Sequence, residues 1–371
     1  MKILLTGLCP ILSLTAMAAT LDWNTIPQPP LPPDPLELVT GDAQPVQDAQ
    51  QRIAAIGLLE KARSLSNVRA QPYDLKTSFT ASGDGASAGS WALEDVAPKS
   101  GGYRWTAQGP NFSAVNVYPG STTGALYGNQ PGGTLPLRLI QVRSAIFFIF
   151  PTVGPQASVR TGTGSLNGVQ QNCVLVVIGA GNRTFTGGRN WEESEYCVDA
   201  QTGLLTQYSP APGLFIRYDY SSGIRFHDKF IPTAFNIVEN GQAVAEARTI
   251  AVTDPPDRTD AMFDTTGLIE LGAGRAMNPG MRMTASAPVP GQPFPTSNAT
   301  AAMQVVTLHG NAAGNGALSE IEILASSDPG LNQTAVAQAT AMAQRRAGNQ
   351  PGATAQSSEL MMTFRFLTSA Q

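Results

Sequence analysis

The sequence predicts a mainly β protein that ends in a smaller α+β part. From residue 75 to residue 252 apolar and polar side chains alternate over many short runs, which is the period of antiparallel strands. The last seventy residues instead order a strand, a hairpin turn, a second strand, an Ala-rich helix and a final strand. With 371 residues, the chain has room for two domains of ordinary size.

The N-terminus resembles an export signal. Lys2 precedes an apolar run over residues 3–19, and Ala16-Met17-Ala18 has the small-x-small pattern of a cleavage site. The run is shorter than the roughly 20 apolar residues of a spanning helix, and it contains Pro10. We therefore expect residues 1–18 to be a signal peptide and the protein to be periplasmic or secreted. The alternative is an inner-membrane anchor formed by an uncleaved N-terminal segment.

Two Pro- and Gly-rich stretches divide the remaining chain. Residues 19–45 contain the run Pro29 to Pro35 and are predicted to be an extended spacer, because successive prolines fix the backbone and remove donors. Residues 263–300 are predicted to be a linker, since Gly and Pro interrupt any periodicity there. These boundaries leave a large domain over residues 46–262 and a small one over residues 301–371.

The large domain begins with a predicted helix, for which Asp48 and Gln51 form a capping pair. Its predicted apolar face consists of Ile53, Ile56, Leu59 and Ala62. Strands follow, and residues 135–150 then form an almost wholly apolar segment that fits either a buried helix or a core strand. Further strands are predicted over residues 169–178, 191–198, 214–220, 224–230 and 243–252, with turns at 179–182, 199–203 and Asn240-Gly241.

This order resembles the half-barrel of periplasmic lipoprotein carriers of the LolA type, over roughly residues 46–256. The resemblance is one of pattern, and it implies a curved antiparallel sheet that wraps around helices and leaves an apolar cavity for acyl chains. A β-sandwich with a dry core is the alternative. The aromatic residues that would line such a cavity, each of which also suits an ordinary core, are Phe79, Trp91, Trp105, Phe147, Phe148, Phe150 and Tyr220.

The small domain carries a more specific pattern. A strand over residues 304–309, the turn Gly314-Asn315-Gly316 and a return strand over residues 317–324 precede a helix and a terminal strand. The return strand, Ser326-Ser327 and the Ala-rich helix make this region similar to the TonB C-terminal family, in which strands and one helix form a two-layer domain.

That resemblance implies binding of an extended peptide from an outer-membrane receptor at a free sheet edge, by strand addition. The predicted edge is the terminal strand, with Leu360, Met361, Met362, Thr363, Phe364, Arg365 and Phe366.

Cysteine usage predicts a disulfide. Once the signal is removed, Cys173 and Cys197 remain, and an even pair in an exported chain is most simply a disulfide. They lack the C-x-x-C spacing of a redox pair, and with only two histidines far apart in the sequence they make no metal cluster. We predict neither a metal nor a cofactor.

No enzyme signature is complete. Residues 162–165 and 179–181 are Gly motifs without the spacing of a dinucleotide site and are interpreted as turns. The acidic group Glu192, Glu193 and Glu195 is interpreted as a solvated strand face. His227 and His309 lack a Ser or Cys nucleophile elbow.

Two functional hypotheses remain. The net charge of -4, without Lys/Arg runs, argues against nucleic acid as a partner. The first hypothesis is a non-enzymatic exported envelope protein whose TonB-like domain binds a partner protein, such as an outer-membrane transport receptor. The alternative is a periplasmic carrier that binds a lipid or acyl chain in the N-terminal half-barrel.

Overall fold

A computed structural model shows two sheets of unequal size that pack against each other. It describes residues 22, 25–39, 41, 43–46, 48–83, 87–120, 124–130, 135–147, 149–178, 187–257, 259–273, 281–292, 295, 298, 301–348 and 357–369. The predicted signal peptide and the predicted turn at residues 179–182 lie outside these ranges. Within them, no helix has the length and apolarity that a membrane span requires.

The described strands form one large antiparallel sheet, a small ribbon and a C-terminal sheet. In chain order they are β1 Gln44–Pro45, β2 Tyr73–Ala81, β3 Gly89–Ala97, β4 Tyr103–Gln108, β5 Ser113–Tyr118, β6 Ala125–Gly128, β7 Ser158–Leu166, β8 Val169–Val177, β9 Ser194–Asp199, β10 Leu205–Ala211, β11 Leu214–Asp219, β12 Arg225–Phe226, β13 Lys229–Phe230, β14 Ala234–Glu239, β15 Gln242–Thr253, β16 Ile269–Ala273, β17 Met281–Pro288, β18 Ala301–Ala312, β19 Leu318–Ser326 and β20 Ser358–Ser369. The large sheet has the order β1-β7-β8-β9-β10-β11-β14-β15-β2-β3-β4-β5-β6-β16, and β12 pairs with β13.

Helix α1 (Ala49–Ser66) starts where the sequence predicts. The side chain of Asp48 accepts hydrogen bonds from the backbone N–H groups of Gln50 and Gln51, which caps the first turn. The buried face differs from the predicted one, because Ala55, Leu59 and Ala62 are buried while Ile53 is 71% exposed. Residues spaced by three drift around a helix of 3.6 residues per turn, so Ile53 lies on the opposite side of the helix from buried Ala62.

The apolar segment after residue 135 is a helix, α2 (Leu137–Phe147), and not a core strand. Pro136 immediately precedes its first residue, where a missing N–H does no harm. Leu139, Ile140 and Val142 join the same core as Leu59 of α1 and Phe79 of β2. The two helices therefore pack on one side of the large sheet, so the described part of the large domain is not a sandwich of two sheets.

The motif at residues 162–165 lies inside strand β7, so its prediction as a turn was wrong. A Cβ atom added to Gly164 would lie 2.0 Å from the carbonyl oxygen of Leu38. Glycine at this position lets another segment of chain cross directly over the strand. Strands β10 and β14 were also missed by the sequence analysis.

The segment that crosses β7 belongs to the predicted spacer, which packs along the molecule and is not free. We call residues 25–39 the strap. At one end Ile26 packs with Trp191 and with Val305 of the C-terminal sheet. At the other end Leu38 packs against the sulfur atoms of Cys173 and Cys197. The strap therefore spans both sheets.

The predicted linker over residues 263–300 contains two strands. β16 pairs with β6 at the edge of the large sheet, and β17 pairs with β20 in parallel. The C-terminal sheet therefore has the order β17-β20-β18-β19. Because β17 and β18 flank β20 on its two sides, residues 360–366 have no free edge. The predicted partner-binding edge was misplaced, since Gly- and Pro-rich flanking sequence concealed the strand that covers it.

Helix α3 (Asn332–Gly348) covers one face of the C-terminal sheet. Leu308, Phe364 and Phe366 on that face share a core with Ala335 and Ala339 of the helix. The alternation in β20 was predicted correctly, and it decides which residues face α3. The opposite face looks towards the large sheet.

Candidate binding cavity between the two sheets

The face of the C-terminal sheet that meets the large domain is polar although it is largely covered. Strand pairing places Thr284, Thr363 and Thr307 in one row across β17, β20 and β18. Arg282 and His309 flank Met361 in the next row. Thr307 and His309 are completely buried. The polar side chains of this face must find partners in the other domain.

His309 finds its partners in both sheets. Its Nδ1 atom lies 3.1 Å from the Glu239 carboxylate on β14, and its Nε2 atom lies 3.1 Å from the Glu359 carboxylate on β20. Arg138 of α2 approaches Glu239 to 2.7 Å, and Gln141 donates to the same oxygen. We call Arg138, Glu239, His309 and Glu359 the latch.

The latch keeps its charges. Burial favours neutral His309, but the negative charge of Glu239, together with Glu359, outweighs it and raises the pKa of His309 to about 9. Burial likewise opposes ionisation of Glu239, yet His309 and Arg138 lower the pKa of that carboxyl to about 2. Both groups are therefore ionised at neutral pH.

A second set of contacts joins the two sheets. Arg365 of β20 forms an ion pair with Glu192, and Arg282 of β17 donates to the hydroxyl of Ser194. The ion pairs of the latch and of Arg365 with Glu192 lie on either side of the threonine row.

The acidic group at the start of β9 is buried, in contrast to the prediction. Glu193 lies 3.0 Å from Arg160, and both side chains are buried. Glu195 is buried 3.8 Å from Arg189. Burial raises the pKa of Glu193, and the charge of Arg160 offsets part of this effect. These carboxylates serve as partners of buried arginines.

Helix α2 is held at its N-terminus by the C-terminal domain. The Glu320 carboxylate accepts the Leu137 backbone N–H at 2.7 Å and also a hydrogen bond from the Ser87 hydroxyl. The Ser357 hydroxyl accepts the Leu135 N–H at 3.1 Å, and Asn311 donates to the Leu135 carbonyl at 2.6 Å. The bond to Leu137 satisfies an N–H group that the helix end leaves without a partner, and the bonds to Leu135 fix the chain that leads into the helix.

A cavity of about 1080 Å³ lies between α1, α2, strands β8 to β11 and the polar face. Its volume reaches the upper end of the range of ligand sites, roughly 300–1,000 Å³. Its apolar lining comprises Ile146, Phe147, Ile149, Phe150, Pro151, Val177, Ile178, Trp191, Pro210, Ala211, Leu214, Ile216, Met283 and Met361. Its polar lining includes Arg63, Arg69, Ser194, Tyr196, Tyr208, Arg282, Thr284, Thr307 and Thr363.

A second cavity of about 1110 Å³ runs beneath the strap, between residues 28–39 and residues 324–326 of β19. Its walls are mainly prolines and turn residues, and its apolar surface is smaller in area than that of the first cavity. We therefore take the cavity between the two sheets as the candidate site.

Two of the residues predicted to line an apolar cavity, Phe147 and Phe150, do so. Phe79, Trp91 and Trp105 are buried core residues. Tyr220 packs partly buried against the same core without lining the cavity, and Phe148 lies outside the described residues.

The side chains of α2 fill the place where these core aromatics were expected to meet a ligand. The Arg143 guanidinium lies 4.1 Å from the centre of the Trp105 ring and 2.6 Å from the Asp95 carboxylate. Burial raises the pKa of Asp95 to about 6, although the charge of Arg143 opposes the rise. Arg143 thus closes off this part of the sheet.

The disulfide between Cys173 and Cys197 is confirmed, and it links directly paired residues of β8 and β9. Glu195 lies near both sulfur atoms. Because each sulfur is bonded to the other, neither is available as a thiolate ligand for a metal ion. The sequence analysis missed Tyr196, Tyr208 and Arg282, and the signal that could have found Arg282 was the alternation Arg282-Met283-Thr284-Ala285-Ser286 in the supposed linker.

No protein-family model matches the chain, and no curated protein matches it. Among solved structures, a LolA superfamily protein from Nitrosomonas europaea aligns with 11% identity and a TM-score of 0.37, over 57% of this chain and 97% of its own. A putative outer membrane lipoprotein-sorting protein domain from Vibrio parahaemolyticus aligns with 7% identity and a TM-score of 0.37, over 57% of this chain and 96% of its own.

The Pseudomonas aeruginosa MucA/MucB complex also aligns, with 12% identity and a TM-score of 0.25, over 58% of this chain and 63% of the matched chain. TM-scores this low support no conclusion about what the present chain binds. The resemblance to the TonB C-terminal family receives no support from these comparisons.

Proposed function

We propose that this protein is a non-enzymatic, exported envelope protein that holds the apolar chain of a lipid in the cavity between its two sheets. This is the carrier hypothesis of the sequence analysis, placed in a cavity to which both domains contribute. The observation that carries it is a cavity of about 1080 Å³ whose large-domain side includes an apolar patch around Phe147, Ile149, Phe150 and Ile178.

The large-domain side of the cavity leaves apolar side chains exposed to solvent. Ile149 and Phe150 follow α2 at the cavity, and both are only partly covered by other side chains. Ile178 lines the cavity while it is 59% exposed. An acyl chain that covered these groups would be stabilised by about 25 cal/mol for each Å² of apolar surface removed from water.

Titration of the full-length protein with a fluorescent polyene fatty acid, cis-parinaric acid, and with its methyl ester tests the proposal. We expect saturable binding of at least one probe, and about tenfold weaker binding of that probe in the double variant Ile149→Gln, Ile178→Gln, because two apolar contacts are lost. Neutral glutamine keeps the charge of the cavity unchanged.

The matched control is Ile53→Gln, which replaces an exposed isoleucine on the outer face of α1, away from the cavity. This variant should bind like the unaltered protein. Absence of binding of both probes, or equal weakening in the control, would remove the support for a ligand cavity.

We also propose that the protein binds a partner protein at an edge of the C-terminal sheet other than the one the sequence predicted. Strand β17 lies at the border of the C-terminal sheet, so an extended segment of an envelope partner has an edge to pair with there. A photo-crosslinking residue at exposed Ser286 should then join one defined partner in intact cells. The same residue at exposed Gln344 of α3 should not, and identical products at the two positions would count against pairing at β17.

A further inference from the structure

The two sides of the cavity differ in chemistry. The large-domain side presents an apolar patch with Phe147, Ile149, Phe150 and Ile178, and its polar groups include Arg63, Tyr196 and Tyr208. The C-terminal sheet presents the hydroxyl groups of Thr284, Thr307 and Thr363, one guanidinium and one carboxylate, in addition to Met283 and Met361. A ligand that suits both sides must itself have an apolar part and a polar part.

The polar side is built from several hydroxyl groups that converge. Thr284, Thr363 and Thr307 share one row of the sheet, and the hydroxyl oxygens of Thr307 and Thr363 lie 3.2 Å apart. From the large domain, the stacked rings of Tyr196 and Tyr208 line the same cavity, with their centres 4.9 Å apart. Burial raises the pKa of both tyrosines, so their hydroxyl groups remain protonated donors.

The charge that faces the cavity is positive. The two carboxylates in its lining are already neutralised, Glu192 by Arg365 and Glu359 by His309. Arg282 also lines the cavity, and in the part of the chain that the structure describes it makes no ion pair and donates to the hydroxyl of Ser194.

Arg63 lines the cavity from the last turn of α1. Within the described residues its side chain likewise has no carboxylate partner. Two guanidinium groups, one from each domain, therefore face the cavity without compensating negative charge.

We infer that the polar side is a head-group site and that the ligand is an amphiphile with an anionic head, a carboxylate or a phosphate. The inference rests on the proposed function, because the apolar chain of the same molecule would occupy the large-domain side. Arginine suits such a head, since its planar guanidinium donates two parallel hydrogen bonds to carboxylate or phosphate oxygens. The threonine and tyrosine hydroxyls supply further donors, so each domain provides half of the site.

The test compares charged and neutral ligands with the same chain. Dissociation constants of the full-length protein are measured for cis-parinaric acid and its methyl ester, and for pyrene-labelled phosphatidylglycerol and phosphatidylcholine. We expect the anionic member of one pair to bind about tenfold more tightly, as one charge-assisted contact provides. A preference within the first pair assigns a carboxylate head, and a preference within the second pair assigns a phosphate head.

The variant Arg282→Gln should lose this preference while it binds the neutral member as before, which also shows that the cavity is intact. The control Arg248→Gln, on the exposed surface of β15, should keep the preference. Equal affinity of the unaltered protein for charged and neutral ligands overturns the inference and leaves the proposed function standing. A preference that survives in the double variant Arg63→Gln, Arg282→Gln overturns it too. If none of the four probes binds, the inference and the proposed function fall together.

Discussion

His309 and Glu239 form a buried ion pair between two different sheets, with the imidazole Nδ1 atom 3.1 Å from the carboxylate. The pair joins β18, an inner strand of the C-terminal sheet, to β14 of the large sheet. Removal of one partner of such a pair leaves the other charge buried and uncompensated, which typically costs about 3–5 kcal/mol.

The latch predicts a defined pH dependence of stability. Because the pKa of His309 is raised from 6.5 to about 9 in the folded protein, its contribution is complete below pH 6.5 and is lost as the pH rises through about 9. Because the pKa of Glu239 is lowered from 4.5 to about 2, its contribution is complete above pH 4.5 and is lost as the pH falls through about 2. The latch should stabilise the fold most between about pH 4.5 and 6.5.

Chemical denaturation from pH 6 to 9.5 measures the part of this profile due to His309. We expect His309→Gln to lower the free energy of unfolding at pH 6 and to differ progressively less from the unaltered protein as the pH approaches 9.5. The control is His227→Gln, because this second histidine is about half exposed beside Asp254. A pH-independent difference for His309→Gln would contradict a charged latch.

Glu320 should stabilise α2 from the other domain. Glu320→Ala removes the acceptor for the Leu137 N–H and for the Ser87 hydroxyl, and loss of such a cap costs about 0.5–2 kcal/mol. Thermal unfolding should show a lowered midpoint, whereas Glu322→Ala, at an exposed position of the same strand, should change it little. Equal effects of the two variants would show that Glu320 does not act as a cap.

Gly164 should be required for the strap to cross β7. In Gly164→Ala the new Cβ atom would lie 2.0 Å from the Leu38 carbonyl oxygen, which forces the strap off the strand. We expect faster amide hydrogen exchange in residues 36–39 and earlier proteolysis within the strap. Gly154→Ala is the control, since no atom lies within 4 Å of its added Cβ. Unchanged exchange in Gly164→Ala would mean that the strap is not seated as described.

The disulfide should contribute to stability without affecting the latch. It closes a loop with a sequence separation of 24, and loops of this size correspond to about 3 kcal/mol in the chain-entropy estimate. The double variant Cys173→Ala, Cys197→Ala should unfold at lower denaturant concentration at every pH, and its shift should add to that of His309→Gln. A shift that depends on pH in the same way as the latch would indicate coupling between the two sites.

Local patterns in the sequence determined most of the elements. Alternation predicted β2, with Leu75, Phe79 and Ala81 inward, and the terminal strand β20, with Phe364 towards α3. The capping residue Asp48 predicted where α1 starts, and an even pair of cysteines predicted the disulfide. Each of these depends on residues close in the chain, or on chemistry that is independent of the fold.

Only the tertiary structure decided what these elements face. The role of Glu193 depends on Arg160, that of His309 depends on Glu239, and neither partner is near in sequence. Strands β16 and β17 form because they pair with β6 and β20. The sequence around them is rich in Gly and Pro, so it predicted a linker. The cavity forms where two sheets meet, and surfaces that are far apart along the chain leave no periodicity that would predict their meeting.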